Sequence, residues 1–560
     1  MPGDQDGVPE RGRRHAGLVA AGIGLSRVSG LVRERAIGHF VGTSFAADAY
    51  AAAARLPNLL QHLLGEGTLS ASFIPVYSRL LDEGREEDAS RVAGAVLGLL
   101  AVAAGAIALV GVLLARPLTS VVAAGLVDDP ATLDLTVDLV RILFPAMAVL
   151  VVSAWCLGVL NSHRRFFLSY VAPVAMNLVQ VAVLVTVGTT VLTGASDDSA
   201  RLADLMRWLA VGTVAGGALQ LAVQLPTARR SARSLQPNLD VRQPDVEQVI
   251  RSSVPVIGAR GVVQISRFVQ LFLASFLAVG ALATLRYAQA LVALPISLFG
   301  MSVAAAELPE LSSPSAAGSQ PTRLDAGLAR VAAFVVPSVV AFVVIGDLVA
   351  GAVLQSGNFR ALDATAVWFV LAAAAVGLLP TASARLLQSS LYGASDPTWP
   401  ARIAVVRVVV AAALGAALMV QFDRLLLTGG GVDVSGSLPA FEPVGNELVA
   451  SDPNDSLRLG AVGLALGGSI AGWVEYFALR HRVVRNGLAV RLGGSELRPI
   501  LSAAVVAGGA GLALRWMVDG WHPLPGGLLA VAGTGVVYVA VATRLHVDDI
   551  TALVRSLRHR

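Results

Sequence analysis

Between Ser26 and Ser78 the chain reads SRVSGLVRERAIGHFVGTSFAADAYAAAARLPNLLQHLLGEGTLSASFIPVYS, an apolar stretch that carries Arg27, Arg33, Glu34, Arg35, Asp48, Arg55 and Glu66. Two membrane spans are predicted here. A charge near the bilayer centre costs about 2.5–3.5 kcal/mol on insertion scales, so charges kept there face a bundle interior or an aqueous cavity and mark function. A guanidinium is permanently charged, and its planar fork of donors matches phosphate oxygens two at a time. The chemistry open to this stretch is therefore recognition of a phosphate-bearing anion.

Two residues are expected to shape that site. Gly30 lies between Arg27 and Arg33, and a glycine inside a helix favours bending. Residues six apart splay by about 120° on a straight helix, so a bend at Gly30 would let both arginines converge on one ligand. Pro57 is expected to break the second span beside Arg55 and Asn58, as broken helices are tolerated where they line a cavity. The structural alternative is that Arg33 pairs with Asp48 and Arg55 with Glu66, while Arg35 reaches the surface.

Composition narrows the class. Of 560 residues, 55% are hydrophobic and 14% charged, with a mean hydropathy of +0.69, which describes an integral membrane protein. All 42 basic positions are arginine. Without lysine there is no Walker A, kinase or Schiff-base lysine, so no nucleotide site is expected, and nothing calls for nucleic acid or a cofactor. The single cysteine, Cys156, lies in an apolar run and reads as a small buried hydrophobe rather than a metal ligand or half of a disulfide.

The elements that position the charges form an all-α polytopic protein. About fourteen transmembrane helices are predicted, near 17–41, 46–79, 91–115, 137–160, 167–193, 203–225, 247–279, 281–308, 326–355, 363–391, 400–420, 457–479, 497–519 and 525–545. Residues 1–16 read as a cytoplasmic tail, 17–225 as an N-lobe of six spans, 226–246 as a cytoplasmic linker and 247–479 as a C-lobe of six. Residues 480–560 supply two further spans and a basic tail. Arginines concentrate at 164–165, 229–242, 480–491 and 544–560, and the opposite loops are acidic or neutral, so both termini are expected in the cytoplasm. The insertion at 421–456, rich in Gly, Pro, Ser and Asp, is expected as a flexible outer loop. A weak internal repeat pairs Ser26-Arg27, Leu56-Pro57 and Ile74-Pro75 with Ser266-Arg267, Leu294-Pro295 and Leu308-Pro309.

The runs SRVSGLVRERAIGHFVG, ADAYAAAARLPNLL and GEGTLSASFIPVYS, followed by VAPVAMNLVQ, LPELS and LYGASDPTWP, resemble the signature of the MurJ/MviN family of lipid II flippases. That resemblance implies a fold of the multidrug/oligosaccharidyl-lipid/polysaccharide exporter superfamily, with two six-helix lobes in a V and two C-terminal helices for a lipid tail. It implies a transporter in the bacterial inner membrane rather than an enzyme. The substrate would be undecaprenyl-pyrophosphate-linked disaccharide pentapeptide, carried to the outer leaflet by alternating access. The family's arginines fall on Arg27 and Arg33 and its acids on Asp48 and Glu66. Its basic pair after LPNLL is here Gln61-His62, and an arginine expected at 290 is Ala290, with Arg286 one turn away and Arg267 a second basic group.

Alternatives are a flippase for another polyprenyl-linked glycan and a multidrug or cation exporter of the same superfamily. A membrane glycosyltransferase would want outward catalytic carboxylates, and the first outer loop offers only Asp48. Energy is expected from the membrane potential or an ion gradient, with Asp48, Glu66, Glu307, Asp347 and Glu475 as candidate ion sites.

Overall fold

A computed structural model describes residues 10–191, 198–232, 235–295, 320–393, 396, 398–444, 456–487 and 494–558. The chain divides into two compact units. The first holds α1 (Glu10–Val41), α2 (Phe45–Leu64), α3 (Glu66–Asp82), α4 (Glu86–Leu113), α5 (Ala115–Val122), α6 (Pro130–Ser162), α7 (Phe166–Val191), α8 (Asp198–Ser231) and α9 (Pro244–Ala274) as far as Phe268. To the second belong the rest of α9, α10 (Ala281–Pro295), α11 (Gln320–Leu354), α12 (Ala361–Ala375), α13 (Leu378–Gly393) and α14 (Thr398–Phe422). It continues with strands β1 (Leu425–Thr428), β2 (Gly431–Val434) and β3 (Ser456–Arg458), then α15 (Gly460–Arg485), α16 (Gly494–Met517), α17 (Pro523–Arg544) and α18 (Asp548–Arg558). The short segment Gly42–Ser44 also packs with the second unit.

Ten helical segments among the described residues are long and apolar enough to span a membrane, and they coincide with ten of the expected spans. The others expected, near 17–41, 46–79, 247–279 and 281–308, coincide with α1, α2 with α3, α9 and α10. Charge lowers the hydropathy of α1 and α9, and the continuation of α10 lies outside the described residues. So do Glu307 and the Leu308-Pro309 half of the repeat.

Within the first unit α6 is the central helix. Trp155 and Cys156 on it are fully buried against Phe73, Tyr77 and Val96, and the Trp155 indole donates to the Ala93 carbonyl at 3.1 Å. Cys156 thus fills core volume. The expected linker is tied down: α8 runs on to Ser231, and the segment from 235 lies on α4, where the Asn238 N–H donates to the Gly94 carbonyl at 3.3 Å. The start of α9 stays with this unit, because Arg79 pairs with Asp245 at 2.6 Å and Ser253 donates to Ser72 at 2.9 Å. The boundary between compact units therefore falls inside α9 rather than before residue 247.

In the second unit α14 and α15 pack at backbone distance. A Cβ at Gly463 would stand 2.4 Å from the Leu418 carbonyl carbon, and one at Gly467 would stand 2.5 Å from the Gly415 nitrogen. Small residues four apart let helices approach where lipid offers no hydrophobic drive. The insertion at 421–456 differs from the expected flexible loop. Strands β1 and β2 form an antiparallel hairpin and β3 joins β1, in the order β2-β1-β3. The Leu-Leu-Leu-Thr and Gly-Val-Asp-Val runs supply β-compatible sequence that the overall Gly and Asp content obscures.

Candidate functional site: two basic clusters in the first unit

Helix α1 runs unbroken through Gly30. A Cβ at Gly30 would make only an ordinary contact, 3.9 Å from the Asn177 amide nitrogen, so the packing of α7 there does not require glycine. Around it runs a polar chain. Arg33 Nη1 donates to Asn177 Oδ1 at 3.1 Å and to Gln180 Oε1 at 3.4 Å, Asn177 Nδ2 donates to Ser29 Oγ at 2.9 Å, and Gln180 Nε2 donates to Thr213 Oγ1 at 2.6 Å. Arg33 pairs with the adjacent Glu34 at 2.7 Å rather than with Asp48. Its Nε is buried without a partner among the described residues. Three helices thus aim one guanidinium and leave it with an unused donor. Arg27, about 9 Å earlier along the axis, is exposed and carries no carboxylate partner among the described residues.

The second cluster gathers where α2 gives way to α3. The expected break at Pro57 is not there: α2 continues through Pro57 to Leu64, and the chain turns at Gly65. A Cβ at Gly65 would come 2.1 Å from the Gln61 carbonyl oxygen, so the turn requires glycine. Beside it Arg267 Nη1 lies 2.7 Å from His62 Nε2, which accepts from the guanidinium as a neutral imidazole. Arg55 Nη1 reaches the Arg267 carbonyl at 3.5 Å. Arg260 lies over Gly67, where a Cβ would meet its Nη2 at 1.9 Å, and its charge acts on Glu66. Arg55, His62, Arg260 and Arg267 therefore share one region with the carboxylate of Glu66.

Of the expected residues, Arg33, Arg55, Glu66 and Arg267 take part in these clusters, Asn58 is half-buried on α2, and Asp48 is buried near its start. Arg286 belongs to the second unit, half-buried on α10 with its guanidinium 5.9 Å from the Tyr287 ring centroid. The sequence reading missed Arg260, Asn177 and Gln180. Arg260 and Arg267 are seven apart, hence on one helix face, a spacing that could have drawn attention to both.

The acids of the second unit are held differently. Glu475, buried on α15, accepts from Arg407 at 2.7 Å and from Gln388 at 3.0 Å. Asp347 pairs with Arg515 at 2.9 Å, and Arg515 stacks 4.8 Å over Trp368. Thr43 donates to the buried Asp363, and Tyr287 donates to the Gly42 carbonyl at 3.0 Å, which fixes the loop between α1 and α2 to this unit. No group of three or more metal-ligating side chains occurs among the described residues.

Ten helical segments long and apolar enough to span a membrane, beside helices that carry arginine, define a class, the polytopic membrane proteins. The fold is similar to a solved lipid II flippase MurJ in an inward closed conformation, with a TM-score of 0.71, 18% identity, and coverage of 95% of this chain and 99% of that one. It is similar also to a mutant of the Vibrio cholerae MATE transporter VcmN, with a TM-score of 0.52, 15% identity, and coverage of 85% and 97%. Among curated relatives, the lipid II flippase MurJ of Burkholderia cenocepacia is 30% identical over 388 residues, 68% of this chain and 73% of its own. A probable lipid II flippase MurJ of Rhizobium tropici is 28% identical over 554 residues, 96% and 94% of the two chains. The family model described as lipid II flippase MurJ matches residues 37–430. The chain belongs to the MurJ family.

Proposed function

We propose that this protein is a lipid II flippase of the bacterial cytoplasmic membrane. It moves undecaprenyl-pyrophosphate-linked disaccharide pentapeptide from the inner to the outer leaflet for peptidoglycan synthesis, by alternating access and without bond making. Family membership supports the substrate. The observation that carries the reading to residues is the excess of cations over acids in the first unit: Arg27 and Arg33 on α1, and Arg55, Arg260 and Arg267 around the α2–α3 turn. A diphosphate is the part of such a substrate that guanidinium forks bind. A cation exporter of the same fold would want available acids, whereas Asp347 and Glu475 each hold an arginine.

Energy comes, in this reading, from secondary transport. One charge crossing 100 mV supplies about 2.3 kcal/mol, and Asp48, Glu66, Asp347 and Glu475 are the described acids that would exchange an ion. The arginine-rich ends of α8 and α15 support a cytoplasmic side shared by both termini. The test is replacement of the resident flippase in a depleted cell. Restored wall synthesis is the expected result, and failure with correctly inserted protein at normal level overturns the proposal.

A further inference from the structure

The outer insertion presents its apolar side chains at the level where α14 leaves the membrane. Helix α14 has 25 residues, about 37 Å at 1.5 Å per residue, which crosses a hydrocarbon core of about 30 Å with little to spare. It begins with Trp399 and Arg402, so Gln421 and Phe422 fall at the opposite boundary. The segment 440–444 is strapped to that end. Gln421 Nε2 donates to the Ala440 carbonyl at 2.6 Å, the Ala440 N–H donates to Gln421 Oε1 at 3.0 Å, the Val444 N–H donates to Asp423 Oδ2 at 2.8 Å, and Arg424 Nη2 donates to the Glu442 carbonyl at 3.3 Å. Four hydrogen bonds hold the strap at the lip of the span. From it Phe441 projects 87% exposed, with Leu438 53% exposed three residues earlier.

A second observation lies on the same side of the unit. Two spans, α15 and α16, separate the insertion from the 518–522 turn, so both are on one side of the membrane. There Trp516 is 84% and Trp521 54% exposed, with Met517 beside them at 69%. Aromatic side chains collected at one boundary of a helical membrane protein are those that partition into the headgroup region. A phenylalanine 87% exposed on a strap that side-chain-to-backbone hydrogen bonds hold in place is a patch built for an apolar occupant.

We infer that Phe441 and Leu438 enter the acyl–headgroup boundary of the outer leaflet, and that with Trp516 and Trp521 they anchor the second unit to the lipid. The insertion is then a membrane-resting sheet whose polar hairpin turn, at Gly429 and Gly430, faces water, one strand length of about 13 Å away. The anchor concerns the outer-leaflet rim and does not depend on what the protein carries.

The experiment uses the full-length protein in phospholipid vesicles, with Cys156→Ala and a single new cysteine at Phe441→Cys, labelled with an environment-sensitive fluorophore. Phospholipid brominated near the carbonyl end of its chains is expected to quench this label more strongly than aqueous iodide does, and the order is expected to reverse for Gly430→Cys. Leu438→Cys, on the same strap, repeats the measurement should the first variant fail to insert. Iodide quenching at 441 equal to that at 430 overturns the inference. Protection from both quenchers does so too, since it reports a protein partner or a second copy over the patch.

Discussion

The two units hold their charges with different partners. In the second, Glu475, Asp347 and Asp396 are each bound by an arginine from another element, and Arg330 on α11 is bound to Asp549 on α18 at 2.7 Å. These pairs are neutral, and three of the four brace helix against helix. In the first unit, Arg33 is paired with Glu34 but is held as well by the neutral Asn177 and Gln180, with its Nε unsatisfied among the described residues, and Arg267 is held by the neutral His62. A cation held by an imidazole keeps its charge uncompensated, whereas one paired with a carboxylate does not, and Arg33 stands between the two because its ion pair with Glu34 leaves one donor unused. On the proposed function, the difference separates a region that would bind an anion from one that braces helices.

The largest expected effect is on transport. Arg33→Ala or Arg27→Ala should abolish flipping while leaving membrane insertion intact, measured as wall synthesis in a flippase-depleted cell; normal synthesis in either variant would erase the distinction between the units. Next come Arg260 and Arg267. Charge-assisted hydrogen bonds contribute about 1.5–3 kcal/mol, so either alanine variant should slow transport in reconstituted vesicles by roughly tenfold or more. Gly67→Leu should imitate Arg260→Ala, because its side chain would occupy the guanidinium position. Unchanged rates would confine the binding region to α1.

In the second unit the expected loss is of stability. Arg407→Ala leaves the Glu475 carboxylate buried with Gln388 alone, and breaking such a pair costs about 3–5 kcal/mol when fully buried, less here because Arg407 is partly exposed. Thermal unfolding in detergent should fall sharply for that variant and less for Arg407→Ala combined with Glu475→Gln. Equal losses would argue that the pair is not coupled. The smallest effect is at Asp396, outside the spans, whose carboxyl is held below the usual range by the hydrogen bond from Arg482 at 2.9 Å. A depressed carboxylate stabilises above its unfolded value of about 3.9 and loses that contribution as pH falls toward its folded value. Melting should therefore be flat in this respect between about pH 5 and 8 and decline below about pH 4, a decline that Asp396→Asn should partly lose.

Reading the sequence located the charged stretch because charge in an apolar run is visible without coordinates. It placed ten spans correctly for the same reason: hydropathy over twenty residues depends only on composition. It misjudged Pro57, since a proline's lost hydrogen bond can be absorbed inside a helix, and the chain turned at Gly65 where a Cβ has no room. The ordered sheet at 425–458 was missed because strand pairing joins residues some thirty positions apart.

Sequence alone determined that this is a helical membrane protein, that its intramembrane cations are all arginine, and which family signature it carries. Each of these is a property of residue type and order. Only the tertiary structure decided which neighbours hold each charge: Arg33 by α7 amides, Arg267 by His62, Glu475 by Arg407. Hydropathy is summed along the chain, but electrostatic pairing falls off over a few ångströms, and residues 144 positions apart come within 3.1 Å only after the helices pack.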